Sequence, residues 1–268
     1  GTECMIVYSS IDLIEDDTTG EVTTVLIVDE LYHRVWKLNM ATGVMNVIAG
    51  LGGSTFANYG DGGPAATSAL STPVSVFYDR RNGDIFIVEH MRGVVRRIVA
   101  STNVITTVVG KCTASDYLGD GGSAINACLY GPHSFVINDA GDWLISEYSG
   151  GRIRRVYVNG TIDTIVGGGT LVDAGTNGIP ARSLKLSGPR GIACTSSGEM
   201  LIADSGGSRI WRVGIDGLVR AFAGTGYYGG SGFSDDGYHA TEEPLSGPSD
   251  VVISTDGSGD VFVADTGS

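Results

Sequence analysis

The sequence predicts an all-β protein, a β-propeller of four-stranded antiparallel blades, and three observations carry that expectation. Glycine fills 42 of the 268 positions, about 16% against a usual ~7%, so the chain is dense in turns. Five apolar runs end in an acid: VLIVD at Asp29, IFIVE at Glu89, WLISE at Glu147, MLIAD at Asp204 and VFVAD at Asp265. These acids stand 60, 58, 57 and 61 residues apart. Between them, further β-rich runs recur in a fixed order. Four short strands joined by tight turns and repeated about every 58 residues specify a propeller.

Within each repeat the strands are labelled A to D. Strand A opens after a proline, at Val74, His133, Arg190 and Ser249. Strand B is the run that ends in the acid. Strand C follows as RVWKL from Arg34, VVRRI from Val94, RIRRV from Arg152 and RIWRV from Arg209. In it Trp36, Arg96, Arg154 and Trp211 share a column, and the arginine stems are expected to pack between blades. The C-to-D turns carry Thr42-Gly43, Asn159-Gly160 and Asp216-Gly217, hairpin chemistry in which glycine accepts positive φ, with Ser101-Thr102-Asn103 in the second repeat. Strand D closes at Gly50, Gly110, Gly168 and Gly224. Connections then run to the next proline: GDGGPAATSALSTP to Pro73, GDGGSAINACLYGP to Pro132, and looser versions to Pro189 and Pro248. The alanine-rich tail of each GDGG segment is expected to make a helical turn that drops a leucine into the seam between blades. Counted this way, a single domain of residues 1–268 holds blades at about 11–50, 73–110, 132–168 and 189–224, with a partial fifth at 248–268. About four and a half blades suggest a fragment of a larger or six-bladed propeller, whose edge at Val261–Asp265 is open to another chain.

The ordered set GDGGPA, AL-x-x-P, LIAD followed by SRI, and a closing AG or VG resembles the NHL-repeat family of β-propellers over residues 22–265. The resemblance implies a propeller, six-bladed in most members, and the long GDGG connections mark this chain as an extended version.

A formal charge of −13 repels phosphate over most of the surface and argues against nucleic acid. No apolar run approaches the ~18 residues of a membrane helix. Alternating strand direction places the B-to-C turns and D-to-A connections at one face. There Glu89, Asp61, Asp120, Asp173, Asp235 and Asp236 are expected to form an acidic surface for a basic or cation-bridged protein or glycan partner. The strand-B acids are expected to cap their turns or to pair with the arginine opening strand C, Asp29 with Arg34 and Asp204 with Arg209. Val74, His133, Arg190 and Ser249 are expected at the mouth of the central channel. The GDGG carboxylates invite a calcium reading, but they lack the alternate acids and distal Glu of a calcium loop. His33, His90, His133 and His239 share a face but no repeat column, so neither cofactor nor metal is expected.

Cys112 and Cys128 bracket the second GDGG connection, and a disulfide there would stabilise by about 3 kcal/mol in the chain-entropy model. Cys194 falls in an apolar column as a buried thiol, with Cys4 a possible partner. Asn159-Gly160-Thr161 is a glycosylation sequon as well as a hairpin turn. Together these predict a secreted or cell-surface protein. The expected function is that of an extracellular NHL-type propeller acting as a non-catalytic protein-binding or assembly scaffold. The alternative is a metal-assisted lyase or lactonase at the channel mouth, where the strand-A column supplies one histidine and no carboxylate.

Overall fold

The computed structural model describes residues 8–16, 18–52, 59–111, 119–173, 175, 177–227, 237–254 and 256–267, with side chains from residue 10 onward. Two compact units are present: Gly1–Leu118 with Ala124–Gly131, and Gly119–Ser123 with Pro132–Ser268.

The first unit holds two antiparallel blades. Blade 1 is β1 (Tyr8–Glu15), β2 (Val22–Asp29), β3 (Arg34–Asn39) and β4 (Met45–Ala49), paired in chain order. Blade 2 is β6 (Pro73–Asp79), β7 (Asp84–Glu89), β8 (Val94–Ile98) and β9 (Val104–Val109). The two-residue β5 (Gly63–Pro64), drawn from the GDGG connection, pairs outside β9. In the second unit, blade 3 is β11 (Pro132–Ile137), β12 (Trp143–Glu147), β13 (Arg152–Val156) and β14 (Thr161–Gly167), edged by β10 (Gly122–Ser123). Blade 4 is β16 (Pro189–Cys194), β17 (Met200–Asp204), β18 (Arg209–Val213) and β19 (Leu218–Ala223), edged by β15 (Ile179–Pro180). A further two-stranded sheet joins β20 (Pro248–Ile253) to β21 (Val261–Asp265). The chain is thus a β-propeller of four-stranded antiparallel blades, and the connections before blades 2, 3 and 4 each lend a fifth, outermost strand to the blade that follows.

Strand B is apolar on both faces because neighbouring blades cover both of them: every residue of β17 is buried. In the first unit Leu26, Val28 and Val35 of blade 1 meet Val76, Ile87 and Ile105 of blade 2. Ala65 and Leu70 of the connection lie in the same cluster. A 3-10 turn at Ala65–Thr67 delivers that leucine. In the second unit Leu144, Ile153 and Val166 meet Ile192, Ile202 and Trp211 around Leu184 and Leu186.

The glycine closing strand D is Gly50, Gly110, Gly167 or Gly224, with φ of 96, 86, 85 and 87°; in the third repeat Gly167, not Gly168, takes the place. A Cβ there would stand 2.1–2.3 Å from the carbonyl oxygen of His33, Gly93, Gly151 or Ser208, at the entrance to strand C. Positive φ and a backbone-to-backbone approach coincide, so no side chain can replace the hydrogen. Gly217 has φ of 75°, but a Cβ there would meet nothing within 4 Å. G110A should therefore destabilise the fold by more than about 2 kcal/mol, and G217A by about 1 kcal/mol. Urea midpoints measure both, and equal losses would contradict the close-approach account.

Candidate binding site

The chemistry of the B-to-C turn edge begins with carboxylates that the sheets bury. Asp29, Glu89, Glu147 and Asp204 are 0–1% exposed, and a buried carboxylate without donors is costly. Donors arrive from two directions. From the lead-in to strand A, the Ser71 N–H donates to Glu89 Oε2 at 2.7 Å and the Ser187 N–H to Asp204 Oδ1 at 2.7 Å. In the same way the Ser246 N–H donates to Asp265 at 2.8 Å. From strand C, Arg96 Nη1 lies 3.3 Å from Glu89 Oε1 and Arg154 Nη1 lies 2.9 Å from Glu147 Oε1. In the other two blades an indole replaces the guanidinium: Trp36 Nε1 donates to Asp29 at 3.4 Å and Trp211 Nε1 to Asp204 at 3.2 Å. The expected hydrogen-bonded pairs Asp29–Arg34 and Asp204–Arg209 do not form. Arg34 donates to the Leu51 carbonyl, and Arg209 to those of Val172 and Thr225.

Arg96 and Arg154 are fully buried, heads as well as stems. Their second nitrogens reach Asp61 Oδ1 at 2.7 Å and Asp120 Oδ1 at 2.8 Å. The Thr107 N–H donates to Asp61 at 3.0 Å and the Thr164 N–H to Asp120 at 3.1 Å, while Arg182 joins Asp120 at 3.1 Å. Partial burial alone would raise the Asp61 pKa, yet the bond to Thr107 and the charges of Arg96 and Arg92 hold it below the usual carboxylate range. Of the acidic surface expected here, Glu89 is corrected to a buried residue, and Asp61 and Asp120 are ion-paired rather than free. The Asp61 and Asp120 side chains stay 31 and 33% exposed while each pairs with a buried guanidinium. Asp173 is exposed and accepts the Gly175 N–H at 3.1 Å; Asp235 and Asp236 lie outside the described residues.

These choices change together. Where strand C supplies arginine, strand B ends in glutamate and the preceding connection carries aspartate, as in Glu89–Arg96–Asp61 and Glu147–Arg154–Asp120. Where strand C of blade 4 supplies Trp211, the acid is the shorter Asp204 and Asn177 stands at the connection position. A long cation needs a second anion; an indole N–H does not. R96A would leave Glu89 and Asp61 without their partner and should cost about 3–5 kcal/mol. The triple exchange E89D/R96W/D61N installs the blade 4 solution and should recover most of that loss. Denaturant titration of both variants decides the point, and a triple variant no more stable than R96A would rule out interchangeable solutions.

Burial raises the Glu89 pKa and lifts that of Asp204 to about 6, against the opposing bonds from Ser187 and Trp211. A folded-state pKa above the unfolded value means that the folded chain binds the proton more tightly, so stability through Asp204 rises as pH falls through about 6 toward the ordinary aspartate range. D204N should flatten the stability profile in that window, and an unchanged profile would show that Asp204 does not titrate there.

The four residues expected at the channel mouth have different surroundings, each within its own unit. Val74 is 4% exposed and belongs to the core, correcting its assignment. Ser249 donates to the Ala264 carbonyl at 3.1 Å within its own sheet. His133 and Arg190 are half-buried and meet at Tyr148, a residue without a repeating column and so missed by sequence reasoning. The His133 and Tyr148 ring centroids are 6.3 Å apart, and the Arg190 guanidinium carbon lies 5.2 Å from the Tyr148 ring centre.

The B-to-C turn tips of the first unit carry exposed apolar side chains beside the half-buried Glu30, His90 and Arg92. Leu31, Tyr32 and Met91 expose 59, 50 and 73% of their surface. Both turns are pinned to Thr72: its N–H donates to His33 Nδ1 at 2.9 Å, and its carbonyl accepts the His90 N–H. No group of three or more His, Cys, Asp or Glu that could hold a metal occurs among the described residues. Cys112 lies outside them; Cys128 is buried, and Cys194 is the free thiol among them, its pKa pushed up to about 11 by burial. Asn159 is exposed, and its Oδ1 accepts the Thr161 N–H and hydroxyl.

No family model and no curated protein matches the sequence. Solved β-propeller structures do. A Bacteroides thetaiotaomicron protein of unknown function superposes with a TM-score of 0.62 at 19% identity over 91% of this chain and 54% of its own. A nidogen/laminin complex gives 0.59 at 12% over 97 and 72%, and virginiamycin B lyase from Staphylococcus aureus 0.55 at 14% over 96 and 63%. The chain therefore spans somewhat over half the length of the first of these and just under two thirds of the lyase, and the likeness shows the fold.

Proposed function

We propose that this chain is an extracellular or cell-surface propeller of the NHL type, one domain over residues 1–268, that binds a protein partner without catalysis. The observation that carries the reading is the apolar edge of the first unit. Leu31, Tyr32 and Met91 present large hydrophobic side chains to solvent on two turns anchored to the same Thr72 backbone. Exposed aromatic, leucine and methionine side chains held on a rigid scaffold are the material of an interface core. The strand-B acids of these two blades, Asp29 and Glu89, are buried beneath the turns and hydrogen-bonded to an indole and a guanidinium. A propeller among the similar structures occurs in a nidogen/laminin complex, a protein–protein setting that fits this reading. The secreted compartment rests on a Cys112–Cys128 disulfide and a glycan at Asn159, both part of the proposal.

One preparation from a secretory host tests it. Self-association and partner binding should weaken more than tenfold in L31S/Y32S/M91S, whose melting transition should stay that of wild type because all three side chains are exposed. Peptide mapping without reduction should return Cys112 linked to Cys128. Unchanged binding would remove the apolar edge as the interface, and two free thiols would remove the secreted assignment.

A further inference from the structure

The second unit contains a cavity of about 390 Å³ with a chemistry of its own. Its wall is built from the B-to-C turn of blade 3 (148–151), the Gly168-Gly169 exit of β14, and the 185–188 lead-in to β16. Glycine supplies five of the ten lining residues, so much of the wall is bare backbone. Close approaches fix its shape. A Cβ at Gly169 would lie 2.1 Å from the Ser183 carbonyl oxygen, and one at Gly188 would lie 2.9 Å from the Tyr148 ring. The wall therefore cannot fill in, and Gly188 holds the tyrosine ring in place.

The charges around the cavity are cationic in a chain of net −13. Lys185 is the one charged side chain in the lining, which contains no carboxylate. Arg152 flanks Gly168, its Nε 3.8 Å from where a Cβ would sit. Arg190 packs over Tyr148, and its Nε is buried without a hydrogen-bond partner. Of the neighbouring acids, Glu147 pairs with Arg154 through Oε1 while its Oε2 lies behind the wall, 2.4 Å from where a Cβ of Gly150 would sit, and Asp204 accepts from Ser187 and Trp211. Lys185 thus lines, and Arg152 and Arg190 flank through the residues they touch, a space at the small end of the ~300–1,000 Å³ range of small-molecule sites, whose lining includes Tyr148, 38% exposed.

We propose that this cavity binds a carboxylate-bearing ring compound of monosaccharide size, its ring against Tyr148 and its carboxylate between Lys185 and Arg190. Two sources share that chemistry, an acidic sugar and an aromatic carboxylate. The site is independent of the apolar edge in the first unit, so L31S/Y32S/M91S should leave it intact.

Calorimetric or NMR titration of the full chain with glucuronate, benzoate, glucose and benzyl alcohol tests the proposal. Binding of glucuronate alone identifies an acidic sugar, and binding of benzoate alone an aromatic acid. Either neutral analogue should bind at least about tenfold more weakly than its acid, the loss of one charged contact. K185Q and R190Q should each weaken the acid by a similar factor, and Y148A should weaken it while Y148F preserves it. Tyr148 and Lys185 are exposed, so wild-type melting is expected of their variants, and K185Q alone keeps the test valid if R190Q unfolds. The proposal falls if neither acid binds at millimolar concentration, if neutral analogues bind as well, or if K185Q and Y148A leave binding unchanged.

Discussion

Everything that repeats in this propeller depends on one constraint: in each of the four four-stranded blades the carboxylate at the end of strand B is buried and must be given donors. It sits where the strand-A lead-in, the B-to-C turn and strand C converge. The Ser71, Ser187 and Ser246 N–H groups reach it from one side, fixing the path of the chain two residues before the proline that opens strand A. Strand C reaches it from the other. Prolines, strand-C donors and acids therefore recur at fixed spacing because they surround one charge, and the glycines that close strand D recur because the strand-C entrance leaves them no room.

Two solutions to the same constraint differ in what else they organise. The indole of Trp211 satisfies Asp204 with one hydrogen bond and extends the apolar cluster. The guanidinium of Arg96 or Arg154 has further donors to satisfy, and these draw in the GDGG aspartate and hold the connection against the outer edge of the blade, where β5 and β10 pair. A buried ion-pair triad gives little net stability over an apolar replacement. Its effect here is on geometry, since it fixes which carboxylate of a long loop faces inward.

The blades are legible in the sequence because period, strand order and turn chemistry are local and repeated. The covariation of Glu–Arg–Asp against Asp–Trp–Asn is also written there. It is readable only by comparing three columns spread over some thirty-five residues of each repeat, and it gains meaning only once the connection is known to pair with the blade it precedes. Without that pairing, Asp61 and Asp120 look like free surface acids, since residues 61 and 96 have no sequence relation that announces a contact. Val74 shows the opposite error. Its column groups it with His133 and Arg190, yet its own side chain is apolar and packs inward.

What distinguishes one blade from another cannot be found by periodicity, and the candidate sites are made of such residues. Leu31 and Met91 stand in a turn column that is serine or glycine in the other repeats, while Tyr32 and Tyr148 stand in columns that vary from repeat to repeat. The repeated frame holds those tips by backbone hydrogen bonds and buried charge, leaving their side chains unconstrained by the fold. The net charge of −13 is a property of the whole chain, whereas the ten residues that line the cavity include one lysine and no acid. At physiological salt the influence of distant charges fades beyond about 8 Å, so the proposed site depends on Lys185 in its lining and on Arg152 and Arg190 beside it. An acidic chain can in this way carry a site for an anion, provided that its nearest carboxylates are already held by the scaffold.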